Sequence, residues 1–269
     1  MNKILTLLAC LICYSVCADP YLSDNQSRCT DKYPWYDAND PTRIISCVDI
    51  DELEFIQFLA SVSEPERILE ISINDDPEDD PIQTLTDQSL QLIAEKCPFL
   101  KSFSTVGDRI TDAGLKLLSA GCKELEELCL WVSLDCKGSV TDEGLIELAQ
   151  NCPLLTLIDL TGHSAITDTA IESLANNCPN LEMFYVTGDD GKTPGQLTDQ
   201  SLYLLAKHCK KLRFVEVSQN PGITYAGALA LLESCESLDE LAIERTSITK
   251  KEYKQLRKVR PKMDIDWSK

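Results

Sequence analysis

Residues 110–130 read ITDAGLKLLSAGCKELEELCL, and the pattern in this stretch recurs along the chain. Within it Thr111 is followed eleven residues later by Cys122, and a segment of the form L-x-x-L-x-L begins at Leu125. An apolar residue followed by threonine opens seven such segments, at Thr86, Thr111, Thr141, Thr167, Thr198, Thr224 and Thr249. A period of this length predicts a solenoid of stacked repeats.

Each repeat predicts one strand and one helix. The L-x-x-φ-x-φ segment, where φ is apolar, alternates as a strand with one buried face does. The threonine suits a helix N-cap, and the aspartate that follows it in most repeats would lie near the positive end of the helix dipole. Apolar residues then recur at helical spacing, as at Leu145, Leu148 and Cys152. Six ladder cysteines are expected to face the core as small hydrophobic residues: Cys97, Cys122, Cys152, Cys178, Cys209 and Cys235.

The phrase ITDAGL at residues 110–115, with Cys122 and Leu125 after it, resembles the cysteine-containing leucine-rich repeat family, and the likeness covers residues 68–260. The repeats predict an α/β leucine-rich repeat solenoid, a horseshoe with a parallel β-sheet on the concave face and helices on the convex face. In that family such repeats are typical of F-box substrate receptors of ubiquitin ligases and of the antagonist-of-mitotic-exit protein, whose concave face holds a protein partner. The resemblance therefore implies binding, not catalysis.

The chain divides into four predicted segments. Residues 1–18 combine an early lysine, an apolar run and a small-residue ending, which predicts a cleaved secretory signal peptide. Residues 19–67 are predicted as an N-terminal cap, residues 68–249 as the repeats and residues 250–269 as a C-terminal cap. We therefore expect a protein that is secreted or lies in the lumen of the secretory pathway, without a membrane span. A cytoplasmic location follows if the leader is not a signal.

Residues 49–59 resemble the start of an F-box, but the first strand is expected near Ile68, which leaves no room for three helices. We predict instead a capping helix in which Asp49 and Glu52 form a capping box and Leu53, Ile56 and Leu59 cover the first repeat. An F-box-like substrate receptor in the cytosol stays open as the alternative function.

Four cysteines of the mature chain lie outside the ladder: Cys29, Cys47, Cys129 and Cys136. They allow three pairings, and we favour Cys29 with Cys47 in the cap and Cys129 with Cys136 between a strand and its following loop. Zinc is the competing interpretation, but the mature chain has no C-x-x-C, so no metal and no cofactor are predicted. In a secreted chain the sequon at Asn25 is a candidate glycosylation site.

Charge and histidine content narrow the function classes. The chain of 269 residues carries 25 basic and 44 acidic side chains, a formal net charge of −19, which disfavours nucleic acid as a partner. Only two histidines are present, His163 and His208, and no nucleophile, base and orienting group can be assembled around them. An enzyme is therefore not predicted, and a hydrolase is the least favoured alternative.

The concave face offers the candidate binding residues. Outward positions between the φ residues include Leu157, Met183 and Phe214 in one column, with Tyr185 in the next column and Trp131 one repeat earlier. Because strands lie about 4.8 Å apart, these five residues would form one apolar surface, which we call the concave patch. It predicts a protein contact or an incidental exposure of apolar side chains. Acidic residues expected around it favour a partner with basic groups: Glu127, Asp159, Glu216, Glu240 and Glu244. The sequence does not predict an oligomeric state.

Overall fold

The computed structural model describes residues 44–48, 51–74, 85–132, 138–188 and 193–268. Within these residues nine strands form one open sheet, whose neighbours are all parallel and whose order follows the chain. The strands are β1 (Ile44–Val48), β2 (Glu70–Asn74), β3 (Ser102–Val106), β4 (Glu127–Trp131), β5 (Leu157–Asp159), β6 (Met183–Tyr185), β7 (Phe214–Glu216), β8 (Glu240–Ala242) and β9 (Asp264–Asp266). The predicted α/β leucine-rich repeat solenoid is confirmed.

In the described ranges, one α-helix follows each of the first eight strands and leads to the next strand, and a 3-10 helix at Pro65–Arg67 precedes β2. The helices are α1 (Glu52–Ser61), α2 (Asp87–Lys96), α3 (Asp112–Gly121), α4 (Asp142–Asn151), α5 (Asp168–Asn177), α6 (Asp199–His208), α7 (Tyr225–Ser234) and α8 (Lys250–Val259). None of these helices has the length and apolar composition needed to cross a bilayer.

The threonines are the N-caps of α2 to α8, as predicted. In α4 the hydroxyl oxygen of Thr141 accepts a hydrogen bond of 3.3 Å from the backbone N–H of Glu143. The last repeat uses a full capping box, in which Thr249 accepts from the N–H of Glu252 and the Glu252 carboxylate accepts from the N–H of Thr249. The local signal for a helix start therefore predicted all seven of these starts.

The aspartate that follows the N-cap in α2 to α6 does more than interact with the helix dipole. The carboxylate of Asp112 accepts the backbone N–H of Thr141, one repeat further on, at 2.8 Å and the hydroxyl of Thr141 at 2.7 Å. The same pair of bonds links four further repeats, and we call the set the aspartate ladder: Asp87 to Thr111, Asp112 to Thr141, Asp142 to Thr167, Asp168 to Thr198 and Asp199 to Thr224. Glu52 in α1 supplies the acceptor for Thr86. The starts of α2 to α7 are thus each held by the preceding helix, whereas α8 is closed by its own capping box.

The core lies between the sheet and the helices. The residue at the centre of each short strand faces inward and is buried, which places Leu128, Ile158, Phe184 and Val215 in one column. The ladder cysteines are buried and free, as predicted. They also donate weak hydrogen bonds along the stack: each of the last five Sγ atoms lies 3.3 to 3.8 Å from the carbonyl oxygen of the ladder cysteine before it.

The N-terminal end differs from the prediction. The sheet begins with β1, a full strand before the expected start near Ile68. Helix α1 begins after Asp51, whose side chain accepts the N–H of Glu54 at 2.8 Å, so Asp49 is not its N-cap. Leu53 is 65% exposed, because the opposite side of α1 buries Phe55 together with Phe58 and Leu59. Two phenylalanines remove more apolar surface from water than Leu53 and Ile56 would, and this sets the rotation of the helix.

Candidate partner-binding surface

Strand register arranges the central concave patch as predicted. Leu157 pairs with Met183, and Met183 pairs with Phe214, across β5, β6 and β7. Two residues further along the same strands, Asp159, Tyr185 and Glu216 form the next column. Side chains two residues apart on a strand share a face, so both columns lie on the concave side of the sheet, away from the helices.

The patch is less exposed than the sequence predicts. Leu157 is 7% exposed and Tyr185 is 8% exposed, so both are buried by their neighbours, while Met183 and Phe214 are half-buried. Side chains on the inner face of a curved sheet crowd together, and a sequence pattern carries no measure of that crowding. Met183 and Phe214 therefore supply the accessible apolar surface.

Trp131 lies apart from the two columns. The residues of β4 that pair with Leu157 and Asp159 are Glu127 and Cys129, and Trp131 lies two residues beyond Cys129 at the end of the strand. Its ring is half-buried, and it pairs with Val106 of β3. The structure thus places four of the five predicted patch residues together and puts Trp131 beside the patch.

The carboxylates lie within the patch as well as around it. Phe214 pairs with Glu240 of β8, and Tyr185 pairs with Glu216 of β7. Glu216 pairs in turn with Ala242, which pairs with Asp266 of β9. Apolar and acidic side chains therefore alternate over the face of β5 to β9, which we call the acidic half.

Electrostatics in the acidic half are unfavourable in the free protein. Burial raises the pKa of Glu216 to about 8, and the negative charges of Asp159, Glu240, Glu244 and Asp266 add to the rise. Burial also raises the pKa values of Asp159, Glu240 and Asp266. In the described part of the chain, no basic side chain forms an ion pair with Glu216.

The face of β1 to β4 has a different character. The column that contains Asp159 continues through Cys129 to Ser104, Ser72 and Ser46, which are uncharged. The neighbouring column carries two carboxylates, Glu70 and Glu127, with Ser102 between them, and burial raises the pKa of Glu127. The face of β5 to β9 differs because it combines large apolar side chains with a denser set of carboxylates.

Phe214 already carries a cation at its ring. The guanidinium carbon of Arg213 lies 5.3 Å from the ring centroid, and Arg213 also donates to the carboxylate of Asp239 at 3.1 Å. This distance is typical of a cation–π contact. The ring of Phe214 is therefore already in contact with a cation at the edge of the acidic half.

Neither histidine belongs to this surface. His163 is fully buried; its Nδ1 accepts the N–H of Val140 at 3.2 Å, and its Nε2 donates to the carbonyl of Leu130 at 2.8 Å. Burial lowers the pKa of His163 to about 4, so the ring is neutral. Asn220 makes the equivalent pair of bonds to Leu197 and Val186, which shows that this turn position joins repeats. His208 ends α6.

Other chemistry is poorly supported by the described residues. Burial raises the thiol pKa of Cys97, Cys122, Cys178 and Cys209 to about 12, so these cysteines are protonated and inert. Among the residues with described positions, no group of three or more His, Cys, Asp or Glu side chains has an arrangement that could hold a metal ion.

Several predicted modifications lie outside the described residues. These are the signal peptide at residues 1–18, the sequon at Asn25 and both Cys29 and Cys136. Cys47 lies in β1, but its side chain is outside the description, and Cys129 is buried on β4. The pairings of Cys29 with Cys47 and of Cys129 with Cys136 stay predictions.

Comparison with known proteins agrees with the fold. A leucine-rich repeat model matches residues 208–232. A chain of the Rad7 and Elc1 complex in yeast is similar with a TM-score of 0.64 and 16% identity, over 82% of this chain and 53% of that one. A Bacteroides fragilis protein aligns with a TM-score of 0.43 and 15% identity, over 78% of this chain and 68% of that one. This chain thus spans about half the length of the yeast chain. Comparison with curated proteins finds no match.

Proposed function

We propose that this protein is a non-enzymatic protein-interaction module that binds its partner on the concave face. The observation that carries the proposal is the column formed by Leu157, Met183 and Phe214, of which the last two keep apolar surface accessible among carboxylates. Apolar patches with methionine and aromatic side chains are typical of protein contacts. The leucine-rich repeat fold and its structural neighbours support this class of function.

The charge of the face favours a partner with basic groups. The acidic half brings Asp159, Glu216, Glu240 and Asp266 onto four strands of one surface. Complementary charge speeds encounter and disfavours partners of like charge. The net charge of −19 disfavours nucleic acid for the same reason.

The leader sequence supports a location outside the cytosol. A protein that loses residues 1–18 in the secretory pathway would meet its partner in the lumen or outside the cell. The test of the function therefore uses extracellular or lumenal material from the native source as the supply of partners.

The experiment compares three baits in that material. Wild-type protein is expected to recover a partner, and Phe214→Glu is expected to lose it, because the substitution removes apolar contact and places a charge in a desolvated interface. The matched control is Tyr203→Glu on α6, which puts the same charge in place of an aromatic ring that is 42% exposed on the convex side. Equal recovery by wild type and Phe214→Glu, with unchanged thermal unfolding, would move the site off the concave face.

An F-box-like substrate receptor is the second candidate. One observation favours it: Leu53 is 65% exposed on α1, in the segment that resembles the start of an F-box. The yeast neighbour of this chain is described in complex with Elc1. Finding Met1 intact on protein retained in the cytosol would favour this candidate, whereas a secreted chain that begins at Asp19 would reject it.

A further inference from the structure

Resting on the proposed function, we infer that the acidic half docks a protein segment that inserts one lysine or arginine side chain among apolar side chains. The charged end of that side chain lies beside Glu216, and its aliphatic stem lies along Phe214.

The first step is the arrangement around Ala242. Glu216 and Asp266 pair with Ala242 from the strands on either side. Glu240 stands two residues before it on the same face of β8, and Glu244 follows two residues after it. The smallest side chain of this region is therefore surrounded by four carboxylates, which fits the head of a long basic side chain.

The second step is the apolar wall next to the carboxylates. Tyr185 pairs with Glu216 across β6 and β7, and Phe214 lies two residues before Glu216 on the same face. Because Tyr185 is only 8% exposed, a lysine or arginine that reached Glu216 would lay its methylene groups mainly along Phe214. Arg213, with its guanidinium 5.3 Å from the Phe214 centroid, shows that this ring accepts a cation.

The third step is that Glu216 forms no ion pair with a basic side chain among the described residues. The charged groups that face Glu216 are Asp159 of β5, Glu240 and Glu244 on and after β8, and Asp266 of β9, all acidic. Together with burial they raise the pKa of Glu216 to about 8. Such mutual repulsion opposes folding, so its retention on one surface indicates a functional site.

The fourth step separates the basic segment from other occupants. A metal ion needs carboxylate oxygens within about 2.6 Å of one point. The described residues hold no group of carboxylates close enough for this. A second copy of the chain carries the same acidic half and the same net charge of −19, which opposes self-association through this face. A basic segment of another protein meets both the charge and the apolar wall.

The test uses a phage library of random short peptides selected on the wild-type protein. We expect selected peptides to be enriched in lysine or arginine next to apolar residues. A selected peptide should bind Glu216→Gln at least about tenfold more weakly, since the contact to the carboxylate is a charge-assisted hydrogen bond. Glu147→Gln, on the exposed side of α4, is the matched control and should bind as wild type does. Removing a repelled charge should leave Glu216→Gln folded, which thermal unfolding checks.

The pH dependence of peptide binding gives an independent readout. Because the free carboxyl of Glu216 has a pKa of about 8, affinity should fall by up to about tenfold for each pH unit below this value. The slope should flatten in Glu216→Gln. A structural role for Glu216 would change affinity without changing this slope.

Each remaining outcome overturns the inference. These outcomes are a library without binders, peptides without basic enrichment, full binding by Glu216→Gln, release of the peptide by Ca²⁺, and a dimer that Glu216→Gln dissolves. Peptides that lose binding to Phe214→Glu but not to Glu216→Gln would reject the basic side chain and keep the concave face as the binding site. Peptides insensitive to both variants would reject the proposed function too.

Discussion

Replacing Asp112 by alanine should destabilise the protein far more than the loss of a surface charge. Its carboxylate accepts three hydrogen bonds from the next repeat: the N–H of Thr141 at 2.8 Å, its hydroxyl at 2.7 Å and the N–H of Gly144 at 3.1 Å. Hydrogen bonds to a charged group contribute about 1.5 to 3 kcal/mol each, and those of half-buried groups fall at the lower end. Since water can reach part of this site, we expect a loss of about 2 to 4 kcal/mol in the free energy of unfolding.

The assay is urea unfolding monitored by circular dichroism, and the comparison requires that the variants have the same m-value. The matched control is Glu147→Ala on α4, an exposed carboxylate, which should change the free energy of unfolding by less than about 0.5 kcal/mol. Asp112→Asn should lie between the two, because the amide keeps one acceptor and loses the charge. If Asp112→Ala unfolded at the same urea concentration as Glu147→Ala, the aspartate ladder would not stabilise the stack.

Two further predictions concern buried polar groups. Cys152→Ser should lower stability by about 1 to 3 kcal/mol in urea unfolding, and more than Cys152→Ala does. The reason is that the shorter C–O bond would hold the serine hydroxyl even farther from the Cys122 carbonyl oxygen than the thiol, which lies 3.5 Å from it. Equal losses of stability in Cys152→Ser and Cys152→Ala would contradict an apolar site. The second concerns His163, whose pKa is lowered to about 4 in the fold, so its contribution of about 3 kcal/mol is present above pH 6.5 and lost as pH falls toward 4. His163→Asn, which copies Asn220, should flatten this part of the stability curve, and an unchanged slope would exclude His163 as its source.

The sequence predicted those parts of the fold that repeat. A threonine before each apolar helical stripe marks the helix starts, because the N-cap is a local interaction. The concave columns could also be predicted, since every repeat carries the same L-x-x-φ-x-φ segment and therefore the same register. Leu157, Met183 and Phe214 lie opposite one another for that reason.

The sequence could not predict what depends on distances between repeats. The bond from Asp112 to Thr141 needs the spacing of two stacked helices, which no local pattern contains. The orientation of α1 was wrong because no repeat precedes it to fix the pattern, and Leu53 was therefore assigned to the wrong side. The acidic residues around the patch were predicted in part. Their mutual repulsion was not, because it depends on the distances between Asp159, Glu216 and Asp266, which lie on three different strands.

The aspartate ladder gives the solenoid a direction. Each acceptor lies in one repeat and its donors lie in the next, so unfolding of an N-terminal repeat takes away the acceptor that the following helix start needs. Loss of a C-terminal repeat removes no acceptor from the repeats before it, and the aspartate left without donors is a charged carboxylate that water solvates well. Through the ladder, unfolding that begins at the N-terminus should therefore destabilise the next repeat, whereas unfolding that begins at the C-terminus should not. The N-terminal end of the ladder therefore requires a dedicated acceptor residue, and Glu52 fills that position.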